Sequence, residues 1–321
     1  MSLYLVTGGA GFIGSNIVEE LLKRDHSVRI LDNFLTGKRE NIASFLDKVD
    51  LIEDDIRNLE ACRSAVRGID YVLHQAALPS VPLSLQDPIT TTDINIKGTL
   101  NMLIASRDAD VKKFVFASSS SVYGDEPTLP KKEGREGKPL SPYAASKLAC
   151  EKYCQVFSSA FGLSTISLRY FNVFGSRQNP KSQYAAVIPQ FITAILNRQQ
   201  PTIYGDGEQT RDFSYVSNIV EANILASHAK RYNGEVFNLA CGEKTTVNEL
   251  VDKINSILET NIKPVYAPPR PGDIRHSYAD ISNAEQALDY HPVVNFEEGL
   301  KNAVEWYKKR SKNGRYHKNS D

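Results

Sequence analysis

Seven residues near the amino terminus, Gly8-Gly9-Ala10-Gly11-Phe12-Ile13-Gly14, constrain the fold more than any other stretch of the chain. They follow the apolar run Leu3–Thr7 and lead into a segment where Ile13, Ile17, Val18, Leu21 and Leu22 recur at helical spacing. In a strand, turn and helix of this order the glycines turn tightly, admit a pyrophosphate against bare backbone, and present a helix N-terminus to the anion. Gly8, Gly11, Phe12, Ile13 and Gly14 are therefore expected to hold a dinucleotide. Asp32, eighteen residues past Gly14, is placed to accept from both ribose hydroxyls, with Asn33 beside it. A 2′-phosphate there would face the Asp32 charge, so NAD is expected over NADP, although Lys38 and Arg39 lie close by. Asp55 and Ile56, just past a third strand, stand to meet the adenine edge and face; a helix N-cap is the other reading of Asp55.

The rest of the first half repeats the same grammar. Val28–Asp32, Asp50–Glu53, Tyr71–His74 and Phe114–Ala117 read as buried parallel strands separated by helical stretches, and Ser164–Tyr170 follows a long helix from about Pro142 to Phe161. The fold class is α/β, a doubly wound parallel Rossmann sheet with a second, smaller α/β lobe for substrate. Beyond Phe171, loops such as Gly175–Ser182, Gly205–Gly207 and Ala267–Gly272 separate isolated helices. The segment Val216–Ala229 reads as a helix and Glu235–Ala240 as a strand returning to the main sheet. The expected division is 1–175 with a return segment at about 214–241 for the dinucleotide, and 176–213 with 242–321 for the substrate.

Composition removes other classes. At 321 residues the chain exceeds what one core usually serves, and 38 basic against 38 acidic residues leave no net field to draw it to nucleic acid or an anionic membrane. The first residues carry no basic region ahead of an apolar run, and no apolar stretch reaches the roughly 18 residues of a membrane helix, so a cytoplasmic protein is expected. Cys62, Cys150, Cys154 and Cys241 are too scattered for a disulfide framework; Cys150 and Cys154 are one helical turn apart, but without further ligands nearby no metal is expected. The basic tail from Lys308 to Asp321 reads as a solvated terminus.

A second constellation carries chemistry. Ser118-Ser119-Ser120-Ser121-Val122-Tyr123-Gly124 closes the fifth strand, and Ser141-Pro142-Tyr143-Ala144-Ala145-Ser146-Lys147 opens the long helix. Tyr143 and Lys147, four apart, share one helix face, where the ammonium can favour the ionised phenol. An unperturbed Tyr, with a pKa of about 10, is a poor base at neutral pH; a Lys and a nicotinamide cation beside it bring the phenolate into range. Ser119 and Ser120 can hydrogen-bond the same substrate oxygen, so Ser119, Ser120, Tyr143 and Lys147 are the candidate catalytic residues.

With these motifs the chain resembles the extended short-chain dehydrogenase/reductase family, and within it the nucleotide-sugar 4-epimerases, most closely those acting on UDP-N-acetylglucosamine. The likeness covers nearly the whole chain. It also rests on His74-Gln75-Ala76-Ala77, Asn95-Ile96-Lys97-Gly98-Thr99, Leu168-Arg169-Tyr170-Phe171-Asn172-Val173-Phe174-Gly175, Gly205-Asp206-Gly207, Arg211-Asp212-Phe213 and Arg270-Pro271-Gly272-Asp273. The resemblance implies NAD contacts from Gln75, Ala76, Ala77, Asn95 and Tyr170 as well as from Tyr143 and Lys147. Asn172, at the mouth of the sixth strand, can reach substrate phosphates or hexose, and Arg211 and Arg270 suit the UDP pyrophosphate as bidentate donors. Surface pairs with Asp212 and Asp273 are the bland alternative, with Asp273 itself a candidate substrate contact. Tyr204 can stack on uracil and the Val187 backbone can hold it, or both can pack the small lobe. His74 reads as a buried strand end without a catalytic role.

The resemblance also implies a reaction. Sugar 4,6-dehydratases of the family carry Asp-Glu, and UDP-glucuronate decarboxylases a Glu, where this chain has Ser120 and Ser121. With nothing to eliminate or decarboxylate, a 4-keto sugar can only be reduced again, on its other face, inverting C4. In the resembling epimerases a large Tyr at the position of Ser277 goes with glucose-only enzymes and a small residue with those admitting an N-acetyl group, and Ser80 aligns with a pocket residue of the latter. Ser277 also reads as a simple turn residue. A UDP-uronate 4-epimerase and a non-catalytic NAD sensor are the alternatives. Related enzymes pair two helices into a dimer interface; here the helix near Thr92–Arg107 and the one bearing Tyr143 carry Leu100, Leu103, Tyr153, Phe157 and Phe161, so a homodimer is expected.

Overall fold

The apolar runs pair side by side in a single parallel sheet. In the computed structural model, which describes residues 1–180, 186–269 and 275–312, its strands are β1 (Leu3–Thr7), β2 (Ser27–Leu31), β3 (Asp50–Ile52), β4 (Tyr71–His74), β5 (Lys113–Ser119), β6 (Thr165–Tyr170) and β7 (Glu235–Leu239). Their order is β7-β6-β5-β4-β1-β2-β3. Every residue of β6 is buried, which is why that strand reads as unbroken TISLRY rather than as an alternating pattern. The order reverses between β1 and β4, and the carboxyl ends of strands flanking such a reversal open a ligand crevice.

Two apolar layers cover the sheet. One includes Met102, Leu103, Cys150, Cys154 and Phe157, from the helices Gly98–Asp108 and Pro142–Phe161. The other runs without interruption from the helices Phe12–Lys23 and Val216–His228 into the smaller α/β region, through Ile188, Phe213, Leu250 and Tyr307. That region holds the helices Val187–Leu196 and Val247–Leu258, a three-stranded sheet of Thr245–Thr246, Thr210–Arg211 and His276–Ser277, and the pair Thr202–Tyr204 with Val265–Ala267. Among the described residues no helix is long and apolar enough to cross a membrane.

Local chemistry sets the boundaries that matter. Ser141 accepts from the Ala144 amide at 3.1 Å, Pro142 fits the first helical position, and the helix ends at Gly162 with φ +73°. β2 stops at Leu31, one residue short of the sequence reading, because Asp32 turns its carboxylate onto the glycine loop. The helix expected near Thr92–Arg107 is divided into a π-helical turn, Asp93–Lys97, and the α-helix Gly98–Asp108. A Cβ at Gly98 would lie 2.5 Å from the Ile56 side chain, so a larger residue there would have to displace Ile56.

Candidate active site

The glycine turn is built for close approach. A Cβ on Gly8 would stand 2.8 Å from the Ala76 nitrogen and one on Gly14 2.2 Å from the Gly8 carbonyl oxygen, so neither position accepts a side chain. A Cβ on Gly11 would meet only the Gly8 carbonyl, at 3.1 Å, and would otherwise occupy the space above the helix N-terminus. No side chain caps that terminus, and the loop, with Phe12 and Ile13 opening the helix, fits a pyrophosphate there. Asp32 is buried and accepts from the amides of Ala10 and Phe34, each at 2.8 Å. Burial pushes its pKa up while those two amides hold it back. One lone pair per oxygen remains for ribose hydroxyls.

Asn33 donates to Asp55 at 2.7 Å, and Asp55 takes two hydrogen bonds from the Arg57 guanidinium, at 3.0 and 2.8 Å. Arg57 therefore holds the Asp55 carboxyl below its usual range. The N-cap reading of Asp55 is not what is found: Asn58 caps the next helix, Leu59–Ala65. Ile56 is buried. At the ends of β4 and β6, Gln75, Tyr170 and Asn223 bond one another, with the Tyr170 hydroxyl 3.1 Å from Gln75 and the Gln75 amide 3.0 Å from Asn223. Thr7 accepts from the Ala76 amide at 3.2 Å, and next to Ala77 the Leu78 amide donates to buried Asn95 at 2.8 Å. Asn95 also donates to Ser146, so it braces the 75–78 loop against the Tyr143 helix. His74 bonds Thr7 and Thr99, and burial drives it down to about 3: a neutral structural residue. Cys150 bonds the Asn95 carbonyl at 3.2 Å.

Tyr143 is half-buried, and burial raises its pKa while a hydrogen bond with Ser119 pulls it back. Lys147 is buried 5.9 Å from the centre of the Tyr143 ring, and its ammonium donates to the Ala117 carbonyl at 2.8 Å rather than to the phenol. Desolvation brings Lys147 down to about 8. Ser119, Tyr143 and Lys147 thus stand together at the end of β5, with burial holding the phenol above its usual range. Ser119 also accepts from the Ser121 amide at 3.2 Å, and Ser120 opens the short 3₁₀ helix that follows. Neither Ser120 nor Ser121 supplies a carboxylate.

In the smaller region, Thr210–Arg211 runs parallel to His276–Ser277 with Arg211 facing Ser277 in register, so Ser277 is a strand residue and not a turn. Arg211 donates to the carbonyls of Thr210 and Arg275. Asp212 is fully buried, pushed up to about 6, and accepts from the amides of Cys241, Gly242 and Ala279 at 3.0 to 3.2 Å. It thus clamps the end of the Ser277 strand. Asn172, at φ +34°, donates to the Asp212 carbonyl at 3.1 Å. Val187 opens its helix half-buried, and Tyr204 ends its strand 37% exposed. Ser80 caps the helix Val81–Gln86 through the Leu83 amide at 3.2 Å. Arg270 and Asp273 lie outside the described residues. Sequence reasoning missed Asn223 and Ser146 and read Asp212 only as a surface partner of Arg211; the partners that hold all three lie far away in the chain.

The family model described as the NAD dependent epimerase/dehydratase family matches residues 4–240. A UDP-N-acetylglucosamine 4-epimerase from Methanobrevibacter ruminantium M1, solved in complex with UDP-N-acetylmuramic acid, is 45% identical, with a TM-score of 0.92 over 96% of this chain and 99% of that one. The UDP-glucose 4-epimerase of Thermotoga maritima, solved with UDP-glucose, is 38% identical, with a TM-score of 0.91 over 96% and 99%. A UDP-N-acetyl-alpha-D-glucosaminuronate decarboxylase of Bacillus cytotoxicus is 35% identical over 316 residues, 95% of this chain and 97% of that protein. With a glycine turn, the buried Asp32 carboxylate against it and a Ser119, Tyr143 and Lys147 group on the same sheet, the chain belongs to the NAD dependent epimerase/dehydratase family, and NAD is its cofactor.

Proposed function

We propose that the protein is a UDP-sugar 4-epimerase that interconverts UDP-N-acetylglucosamine and UDP-N-acetylgalactosamine, and also accepts UDP-glucose and UDP-galactose. The observation that carries the reading is the Ser119, Tyr143 and Lys147 group at a strand end whose next residues, Ser120 and Ser121, bear no acid. A dehydratase or decarboxylase needs a group there to drive the second step; an epimerase needs none. NAD held in the glycine cradle would supply the redox chemistry, accepting the hydride of C4 and giving it back. Tyr143 removes the proton of the 4-hydroxyl, Ser119 steadies that oxygen, with Ser120 beside it, and Lys147 supports the phenolate from behind.

Gly8, Gly11, Phe12, Ile13 and Gly14 hold the pyrophosphate of the cofactor, Asp32 and Asn33 its adenosine ribose, and Asp55 and Ile56 its adenine. Gln75, Ala76, Ala77, Asn95 and Tyr170 line the remainder, Asn95 from behind. Arg211 with Arg270 anchors the UDP phosphates, Asn172 and Asp273 add polar contacts, and Tyr204 and Val187 hold the uracil. Strong phosphate anchors and few sugar contacts let the keto sugar turn over between hydride transfers. Ser277 leaves room for the acetamido group, and Ser80 lines the same pocket. Residues 1–175 with 214–241 form the cofactor unit, residues 176–213 with 242–321 the sugar unit, and the protein works as a homodimer. Tyr153 and Phe161, exposed at 38% and 51%, are available to that interface, whereas Leu103 and Phe157 are spent in the core.

The test is an assay of purified protein with UDP-glucose, UDP-N-acetylglucosamine and UDP-glucuronate side by side, without added cofactor. Epimerisation of the N-acetyl sugar, with NAD released on denaturation, is expected. No nucleotide in the protein and no epimerisation when NAD is supplied would overturn the reading, and turnover of UDP-glucuronate alone would move it to a uronate epimerase.

A further inference from the structure

Directly behind the Ser119, Tyr143 and Lys147 group lies a charged cluster whose centre, Glu151 and Arg169, is closed to water and whose outer member, Glu136, is partly exposed. Glu151 is 0% exposed and Arg169 1% exposed. The Arg169 guanidinium donates to both oxygens of Glu151, at 2.8 and 2.7 Å, and its remaining nitrogen forms an ion pair with Glu136 at 2.6 Å. Ser118 donates to the same Glu151 oxygen that takes Arg169 Nε, at 2.5 Å. The guanidinium also stacks over the Tyr123 ring, 4.8 Å from its centre, and Tyr123 donates to Asn238 at 2.6 Å.

Each member of the cluster is tied along the chain to a residue of the site. Tyr143, Lys147 and Glu151 follow at intervals of four on one helix. Ser118 precedes Ser119, Arg169 precedes Tyr170, and Ser118 and Arg169 are direct partners in the register of β5 and β6. Glu136 belongs to the segment joining the serine strand to the Tyr143 helix, five residues ahead of the capping Ser141. Buried ion pairs are weak stabilisers compared with apolar packing of the same volume, so stability alone is a poor reason to bury Glu151 and Arg169 here. What the cluster fixes is the offset between helix and strand tip, across which Tyr143 and Ser119 must meet.

From this juxtaposition we propose that Glu151, held by Arg169, is a positioning residue for the reaction: through Ser118 it locks the strand end bearing Ser119 to the helix bearing Tyr143 and Lys147. The proposal rests on the epimerase reading, in which those three side chains act on one substrate oxygen. A displacement of about 1 Å between base and reacting oxygen is enough for losses near 10²-fold, so the effect belongs in kcat and not in substrate binding.

Ser118→Ala removes only the link between strand tip and carboxylate. It is expected to lower kcat roughly tenfold while KM for the UDP-sugar, NAD content and melting temperature stay within twofold or a few degrees of wild type. Glu151→Gln risks leaving Arg169 unpaired and the chain unfolded, so the second variant is the double Glu151→Leu, Arg169→Met, which restores apolar packing without the lock. It is expected to fold, to bind NAD, and to lose kcat by at least as much as Ser118→Ala with KM unchanged. Wild-type kcat in both folded variants would overturn the proposal, as would a loss of kcat in Ser118→Ala that comes with an equally large loss of melting temperature and NAD content. Tyr143→Phe, measured in parallel, separates the two readings: if it too keeps wild-type turnover the epimerase reading fails, and if it alone is inactive only the positioning role fails.

Discussion

The proposed site has two walls, and they are built by different means. The wall carrying Ser119, Tyr143 and Lys147 consists of long elements, a seven-residue strand and a twenty-residue helix, and its polar atoms are fixed by buried partners such as Ala117, Ser118 and Glu151. The wall carrying Arg211 and Ser277 consists of strands two residues long, held in register by backbone pairing and by the carboxylate of Asp212. They are joined where Lys131, between the serine strand and the Tyr143 helix, exchanges backbone hydrogen bonds with Tyr278 and Asp280, both at 2.9 Å. The rigid wall suits the proposed proton transfer at Tyr143. Short strands tolerate substitution at their exposed positions, which suits the choice of sugar.

The largest effect expected of breaking this contrast is at Tyr143. Tyr143→Phe keeps the ring and removes the proton acceptor, and should lower turnover by roughly 10²–10⁴-fold with UDP affinity nearly unchanged, measured by steady-state kinetics and by titration with UDP. A similar loss of UDP affinity would mean that the rigid wall also binds the nucleotide.

Ser277→Tyr attacks the other wall. Filling the space beside Arg211 should lower turnover of UDP-N-acetylglucosamine by about 10²-fold and spare UDP-glucose, since overfilling a pocket penalises the larger substrate. Equal losses on both sugars, or none on either, would remove Ser277 from the selection.

A smaller, pH-dependent effect separates the walls by charge. Lys147 is brought down to about 8 by burial, so its ammonium, intact below that pH, is lost as pH rises through it. Between about 8 and its ordinary pKa near 10.4 the unfolded chain binds more protons than the native one, so on this group's account stability rises with pH while its support for the phenolate fades. Turnover of the cofactor-loaded enzyme should therefore decline above about pH 8 without unfolding, and Lys147→Met, slow throughout, should show no such limb. A limb that persists in Lys147→Met would assign the titration elsewhere.

How much of this was legible follows from the same contrast. The glycine turn, the strand runs and the Ser141-Pro142 start of the Tyr143 helix each declare themselves within a few residues, because periodicity and caps are local signals. The spacing of Tyr143, Lys147 and Glu151 was equally local, yet Glu151 gives no sign in sequence that Arg169 and Ser118 close on it from neighbouring strands. Asp212 reads as a salt-bridge partner for Arg211, whereas its carboxylate faces the amides of Cys241, Gly242 and Ala279. In each case the deciding partner is brought in by tertiary register, which no local pattern encodes.

The central claim is that C4 is oxidised and re-reduced within one bound cycle by a hydride that never leaves the crevice. UDP-N-acetylglucosamine carrying deuterium at C4, turned over in ordinary water without added NAD and followed by mass spectrometry and NMR, tests it directly. The account predicts a galacto product that retains the deuterium at C4. Replacement of that deuterium by solvent hydrogen would mean that a proton, not a hydride, is removed from carbon, and would contradict the account.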